Sequence, residues 1–139
     1  MYVDTSVIVA MLTNEPKTQA CKDWFAALTI TPVSSDWLIT EFNSAIALKH
    51  RLNQLSKNDV NASLQQFEQL TTNGGLRLLP IARESFVNAG QLTHQYNNTR
   101  AGDALHLSTA LMCEAKQFIT LDIAQALTAK QLGFEVIAI

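Results

Sequence analysis

The sequence is poor in cysteine, has no excess of basic charge and contains no long apolar run. Cys21 and Cys113 stand alone without metal-ligand spacing and read as reduced, mostly buried side chains. Ten Lys and Arg against twelve Asp and Glu give a formal net charge of −2, which argues against a strongly basic domain that coats nucleic acid. A nuclease is not excluded, because acids gathered around metal ions leave the remaining surface close to neutral. No stretch approaches the ~20 apolar residues of a bilayer span. The N-terminus lacks the basic segment, apolar core and cleavage signal of a secretory peptide, so a cytoplasmic location is expected. There is no glycine-rich phosphate loop, and no Ser or Cys nucleophile has a recognisable base beside it. Low-complexity tracts, charge blocks and internal repeats are missing as well.

What is present is a chain of 139 residues, 47% apolar and 16% charged. That suits one soluble domain, residues 1–139, with a sizeable core. Strand-like and helical stretches alternate along it. Residues 1–4 predict a strand, "SVIVAML" and 15–28 predict helices, and "ITPVSSD" predicts a second strand. A helix at 36–52 follows, with Leu38, Phe42, Ala45, Leu48 and Leu52 on one face. A polar helix at 57–72 ends at Gly74-Gly75, "LRLLPI" supplies a strand and 82–97 another helix. "AGDALHLSTALMCEA" has few polar residues and predicts a central, buried helix. "QFITL", "DIAQALTAKQL" and "FEVIAI" complete the chain as strand, helix and strand, with Gly133 stopping the helix. This alternation implies a parallel sheet covered by helices on both faces. Ligands of such sheets sit outside the carboxyl ends of the strands, where the strand order reverses.

Four acids fall at places that matter in this architecture. Asp4 interrupts an apolar run at the end of the first strand, and Asp122 ends the fourth. Glu41 projects into the stripe of Leu38, Ala45, Leu48 and Leu52, and Asp103 begins the apolar helix. Taken singly, Asp4, Asp103 and Asp122 are ordinary helix-start residues. Together they place four like charges on one sheet edge, a repulsion that a divalent cation relieves. An all-oxygen set suits Mg²⁺ or Mn²⁺, which activate water and stabilise the leaving oxygen of a phosphodiester. Zinc is disfavoured for want of a Cys or His cluster. Thr5, Ser6 and Thr120 are candidates to hydrogen-bond these carboxylates, or to cap helices. Arg100, at the mouth of the expected site, reads equally as a candidate phosphate contact or a solvated loop arginine. His106 stands three residues after Asp103, where a metal pair is geometrically allowed, but packing or hydrogen bonding is the better reading. His50, His94, Lys49 and Arg51 read as surface residues, and Trp37 and Phe42 as core or dimer contacts.

The segments "YVDTSVIVAML", "WLITEFNSAI", "RAGDALHLSTAL" and "FITLDIAQALTAKQLGFEVI" resemble the four acidic motifs of PIN-domain ribonucleases, and within them VapC-type toxins. The resemblance spans essentially the whole chain. It implies a three-layer α/β/α fold around a parallel sheet of about five strands. It further implies a metal-dependent endoribonuclease whose site is Asp4, Glu41, Asp103 and Asp122, a homodimer, an RNA substrate and a small cognate antitoxin. Ala124 departs from relatives that carry an acid or Asn there, so either one or two ions fit the active state. Two other classes stay open on the residues alone. One is a non-catalytic RNA-binding domain of the same fold. The other is a Mg²⁺-binding phospho-receiver, although "RLLPI" and "EVIAI" lack the Asp and Lys it would need.

Overall fold

The computed structural model describes all residues, Met1–Ile139. Five strands, β1 (Tyr2–Val3), β2 (Val33–Ser35), β3 (Arg77–Leu79), β4 (Gln117–Ile119) and β5 (Glu135–Ile137), form one sheet. Its order is β3-β2-β1-β4-β5, and every neighbouring pair is parallel. Seven helices connect and cover it: α1 (Thr5–Leu12), α2 (Thr18–Ala26), α3 (Trp37–Arg51), α4 (Lys57–Thr72), α5 (Arg83–Gln95), α6 (Ala101–Met112) and α7 (Ile123–Gln131). The three-layer α/β/α arrangement with five parallel strands is the one the sequence predicts. No helix is long and apolar enough to cross a membrane.

The period of two along each strand sorts side chains between two cores. Tyr2 and Phe118, adjacent in register, point to one face and stack with ring centroids 5.5 Å apart. There they meet Ala89, Leu92, Ala104, Leu107 and Ala129 from α5, α6 and α7. Val3 and Ile119, the next register pair, point to the other face, against Val7 and Ile8 of α1 and Leu38, Phe42 and Ile46 of α3. Ala104 to Ala110 of α6 are buried without interruption, as its apolar composition predicts.

Two packing expectations are corrected. On α3 the buried stripe is Leu38, Phe42 and Ile46, while Leu48 and Leu52 are 48% and 57% exposed. Ile46 shifts the centre of the stripe by part of a turn, so Glu41 stands at its edge, half-buried, instead of within it. Both cysteines are free, but only Cys21 is buried. Cys113 is exposed because α6 ends at Met112 and the chain turns at Glu114 with φ 54°. Phe42 is a core residue, stacked on Phe67 with centroids 4.4 Å apart.

The chain builds β1, β2 and β3 outward in one direction, then returns to add β4 and β5 on the other side of β1. The order therefore reverses between β1 and β4. Asp4 follows β1 directly, its N–H donating to Ile119 O at 2.9 Å, and Asp122 lies three residues beyond β4. The fold thus leaves both acids at the crevice where parallel sheets hold ligands.

Candidate functional site

Asp4 is 5% exposed and surrounded by donors. Its Oδ2 accepts from Ser6 N at 2.9 Å, Ser6 Oγ at 2.6 Å and Thr120 Oγ1 at 3.1 Å. Its Oδ1 accepts from Gln125 Nε2 at 3.1 Å and lies 3.7 Å from His106 Nε2. Asp4 is also the N-cap of α1, where the helix dipole favours negative charge. The charge that interrupts the first apolar run is thus held by a capped helix and a shell of donors.

Glu41 reaches the same place from α3. Its Oε2 accepts from Thr5 Oγ1 at 2.6 Å and from His106 Nε2 at 2.7 Å. Because a carboxylate only accepts, the proton of this bond sits on Nε2, and Nδ1 faces Tyr2 Oη at 2.9 Å. His106 is fully buried and bridges Glu41 to Asp4, with ligand-type atoms of all three within 4.8 Å of one another. Burial disfavours the Glu41 charge, but the His106 hydrogen bond and charge, the Thr5 hydroxyl and the Trp37 indole outweigh it and hold the carboxyl below its usual range. On His106 burial again opposes the charge, while Glu41, Asp4 and Asp103 push its pKa above that of a free imidazole.

Asp103 and Asp122 complete the acidic edge from α6 and α7. Asp103 Oδ2 accepts from Arg100 N at 3.2 Å, and Asp122, the N-cap of α7, accepts from Gln125 N at 2.9 Å. Thr120 ties Asp122 to Asp4, since Asp122 N donates to the same Oγ1 that donates to Asp4, at 3.0 Å. Asp103 and Asp122 line an open polar bowl of about 370 Å³, with Asn97, Asn98, Arg100 and Ala124 on its rim. The four acids predicted from the sequence therefore share one neighbourhood, although Asp103 and Asp122 lie outside the tight Asp4–Glu41–His106 group.

Their mutual repulsion registers on Asp103. Burial is the main influence raising its carboxyl above the usual range; Arg100 N–H opposes it, and the charges of Asp4, Asp122 and Glu41 add to the rise. A carboxyl whose folded pKa exceeds its unfolded value costs stability as pH rises through the raised value. Asp103→Asn is therefore expected to raise the Tm of the metal-free protein at pH 7, by less than about 1 kcal/mol because the group is only half-buried and screened. The gain fades as pH falls towards about 3.9, the free Asp value. A Tm at or below wild type at pH 7 would show that the fold does not disfavour the Asp103 charge.

His106 pairs with Glu41 and Asp4 rather than with Asp103, and its hydrogen bonding is the role its burial in a helix makes intelligible. Gln125 escaped the sequence reading. It is 1% exposed, and its Oε1 is buried without a partner. The signal was there: Gln125, Thr128 and Ala129 form the inward face of α7, three, six and seven residues after Asp122. Tyr2 and Trp37 carried no separable signal, since each reads as core.

Residues 1–131 match the family model described as PIN domain. Among solved structures the chain is similar in fold to Mycobacterium tuberculosis VapC20, a toxin that cleaves the sarcin–ricin loop, with a TM-score of 0.73 and 14% identity over 96% of this chain and 95% of that one. It is similar to FitAcB of Neisseria gonorrhoeae with a TM-score of 0.69 and 20% identity, over 99% of this chain and 96% of that one. VapBC2 of Rickettsia felis, solved on a DNA fragment from its promoter, gives 0.65 and 14%, over 98% and 96%. No curated protein matches the sequence. The structural likenesses describe the fold; the family match covers nearly the whole sequence, and the chain belongs to the PIN domain family.

Proposed function

We propose that this protein is a Mg²⁺- or Mn²⁺-dependent endoribonuclease and the toxin of a toxin–antitoxin pair, acting in the cytoplasm as a homodimer. The observation that carries the reading is the gathering of acids at the crevice between β1 and β4: Asp4 and Glu41 meet at His106, Thr120 ties Asp122 to Asp4, and Asp103 shares a bowl with Asp122. Membership of the PIN family supports nuclease chemistry, and VapC20, FitAcB and VapBC2 support the toxin setting and an antitoxin partner.

The donor set fits a hard dication. It is made of carboxylate oxygens, and His106, the one nitrogen nearby, presents a proton to Glu41 instead of a lone pair. Asp4, Glu41, Asp103 and Asp122 would hold the ion, which supplies activation of water and compensation of phosphodiester charge. The chain's own hydroxyls set the geometry: Ser6 and Thr120 fix Asp4, and Thr5 fixes Glu41. His106 donates its Nε2–H to Glu41 and, with Thr5, holds that carboxyl below its usual range. Arg100, on the exposed rim of the bowl, is the side chain we propose to take an RNA phosphate.

Incubating the purified protein with a mixed RNA pool tests the reading. Cleavage is expected with Mg²⁺ or Mn²⁺ and none with EDTA, with full recovery when the ion is returned in excess. RNA binding without cleavage under both conditions would favour the non-catalytic alternative and remove the nuclease.

A further inference from the structure

We propose that Gly102 is a positioning residue for Glu41, its missing side chain keeping open the slot through which that carboxylate enters the site; the inference rests on the metal-site reading above. Gly102 is the second residue of α6 and has helical backbone angles, so the backbone itself does not require glycine there. Glycine weakens a helix relative to alanine. The reason for it lies in the neighbours. A Cβ built at this position falls on Glu41 Oε1, closer than non-bonded atoms approach, and lies 3.5 Å from Glu41 Cδ and 3.2 Å from Trp37 Nε1.

Glu41 Oε2 is already engaged by Thr5 and His106, so Oε1 is the oxygen that passes over the bare Gly102 backbone. The Trp37 indole edge flanks the same slot. An Ala at 102 meets the far end of a flexible side chain rather than backbone. Glu41 then swings out of place while α6 stays folded. Gly90 in the adjacent α5 provides the contrast, since a Cβ there meets nothing within 4 Å.

Four proteins decide the matter: wild type, G102A, E41A and G102A/E41A, with G90A as control. Mn²⁺ affinity is read by calorimetry, and Tm is measured in EDTA. G102A is expected to weaken Mn²⁺ binding about 10- to 100-fold, while changing nothing further in the E41A background. Without metal, G102A should raise Tm more when Glu41 is absent than when it is present. G90A should bind Mn²⁺ like wild type. Wild-type Mn²⁺ affinity in G102A, together with additive Tm changes, would overturn the proposal. If G102A fails to fold, G102A/E41A is expected to fold; failure of both places the obstruction elsewhere and overturns it too. If wild type binds no Mn²⁺, the metal reading falls, and the metal-free Tm cycle alone decides the Gly102–Glu41 contact: non-additive changes support it and additive ones refute it.

Discussion

Asp4→Asn is expected to lower RNA cleavage by more than about a hundredfold while leaving the Tm of the metal-free protein unchanged or higher. Few buried residues with this many partners tolerate substitution so well, and the reason is local. Asn is as good an N-cap as Asp, so the bonds from Ser6 N, Ser6 Oγ and Thr120 Oγ1 to Oδ2 are kept by the amide oxygen. The new amide NH₂ then faces Gln125, which now donates Nε2–H to Asp4 and whose Oε1 has no partner. Rotation of the Gln125 amide by half a turn presents Oε1 as an acceptor to the new NH₂ and exchanges one unpartnered Gln125 atom, Oε1, for another, Nε2. The substitution also removes one negative charge from a site where the acids repel. Loss of activity with retained stability is the signature of a residue kept for chemistry. Parallel cleavage assays and thermal melts of wild type and Asp4→Asn check it; a cleaving, well-folded variant would sink the assignment.

Metal should reverse the order of stability. In EDTA, Asp4→Asn melts at or above wild type. An ion that binds only the folded state adds about 2.7 kcal/mol when its free concentration is a hundred times its Kd, which is several degrees for a domain of this size. Wild type should gain that increment from Mn²⁺, and Asp4→Asn only a small part of it, so wild type becomes the more stable of the two. Ca²⁺ and Mg²⁺ arms of the same melt show whether the site discriminates between hard cations by size. Equal stabilisation of both proteins by Mn²⁺ would place the ion away from Asp4.

Much of the architecture is legible in the residues because it rests on local periodicity. The five short strands and the buried α6 follow from alternation and apolar content, and Asp4 follows from its position at the end of β1, whereas Asp122, read as ending the fourth strand, stands three residues beyond β4 as the N-cap of α7. Tertiary placement is where the reading runs short. Leu48 and Leu52 carry the right spacing but face solvent, since Ile46 turns the packed face of α3 away from them. His106 pairs with a residue 65 positions away, which no spacing reveals. Gly102 looks like an ordinary glycine in the first turn of a helix until the path of Glu41 is known. Gln125 looks like a surface residue until the inward face of α7 is seen. These are all contacts made between elements, and the functional site is assembled from such contacts.

The most direct test is to soak Mn²⁺ into crystals of the wild-type protein and collect data at a wavelength that reveals manganese. The account predicts an anomalous peak in the crevice between β1 and β4, within coordination distance of Asp4 and of at least one of Glu41, Asp103 and Asp122. Crystals that cleave RNA with Mn²⁺ yet show no manganese among these carboxylates would contradict it.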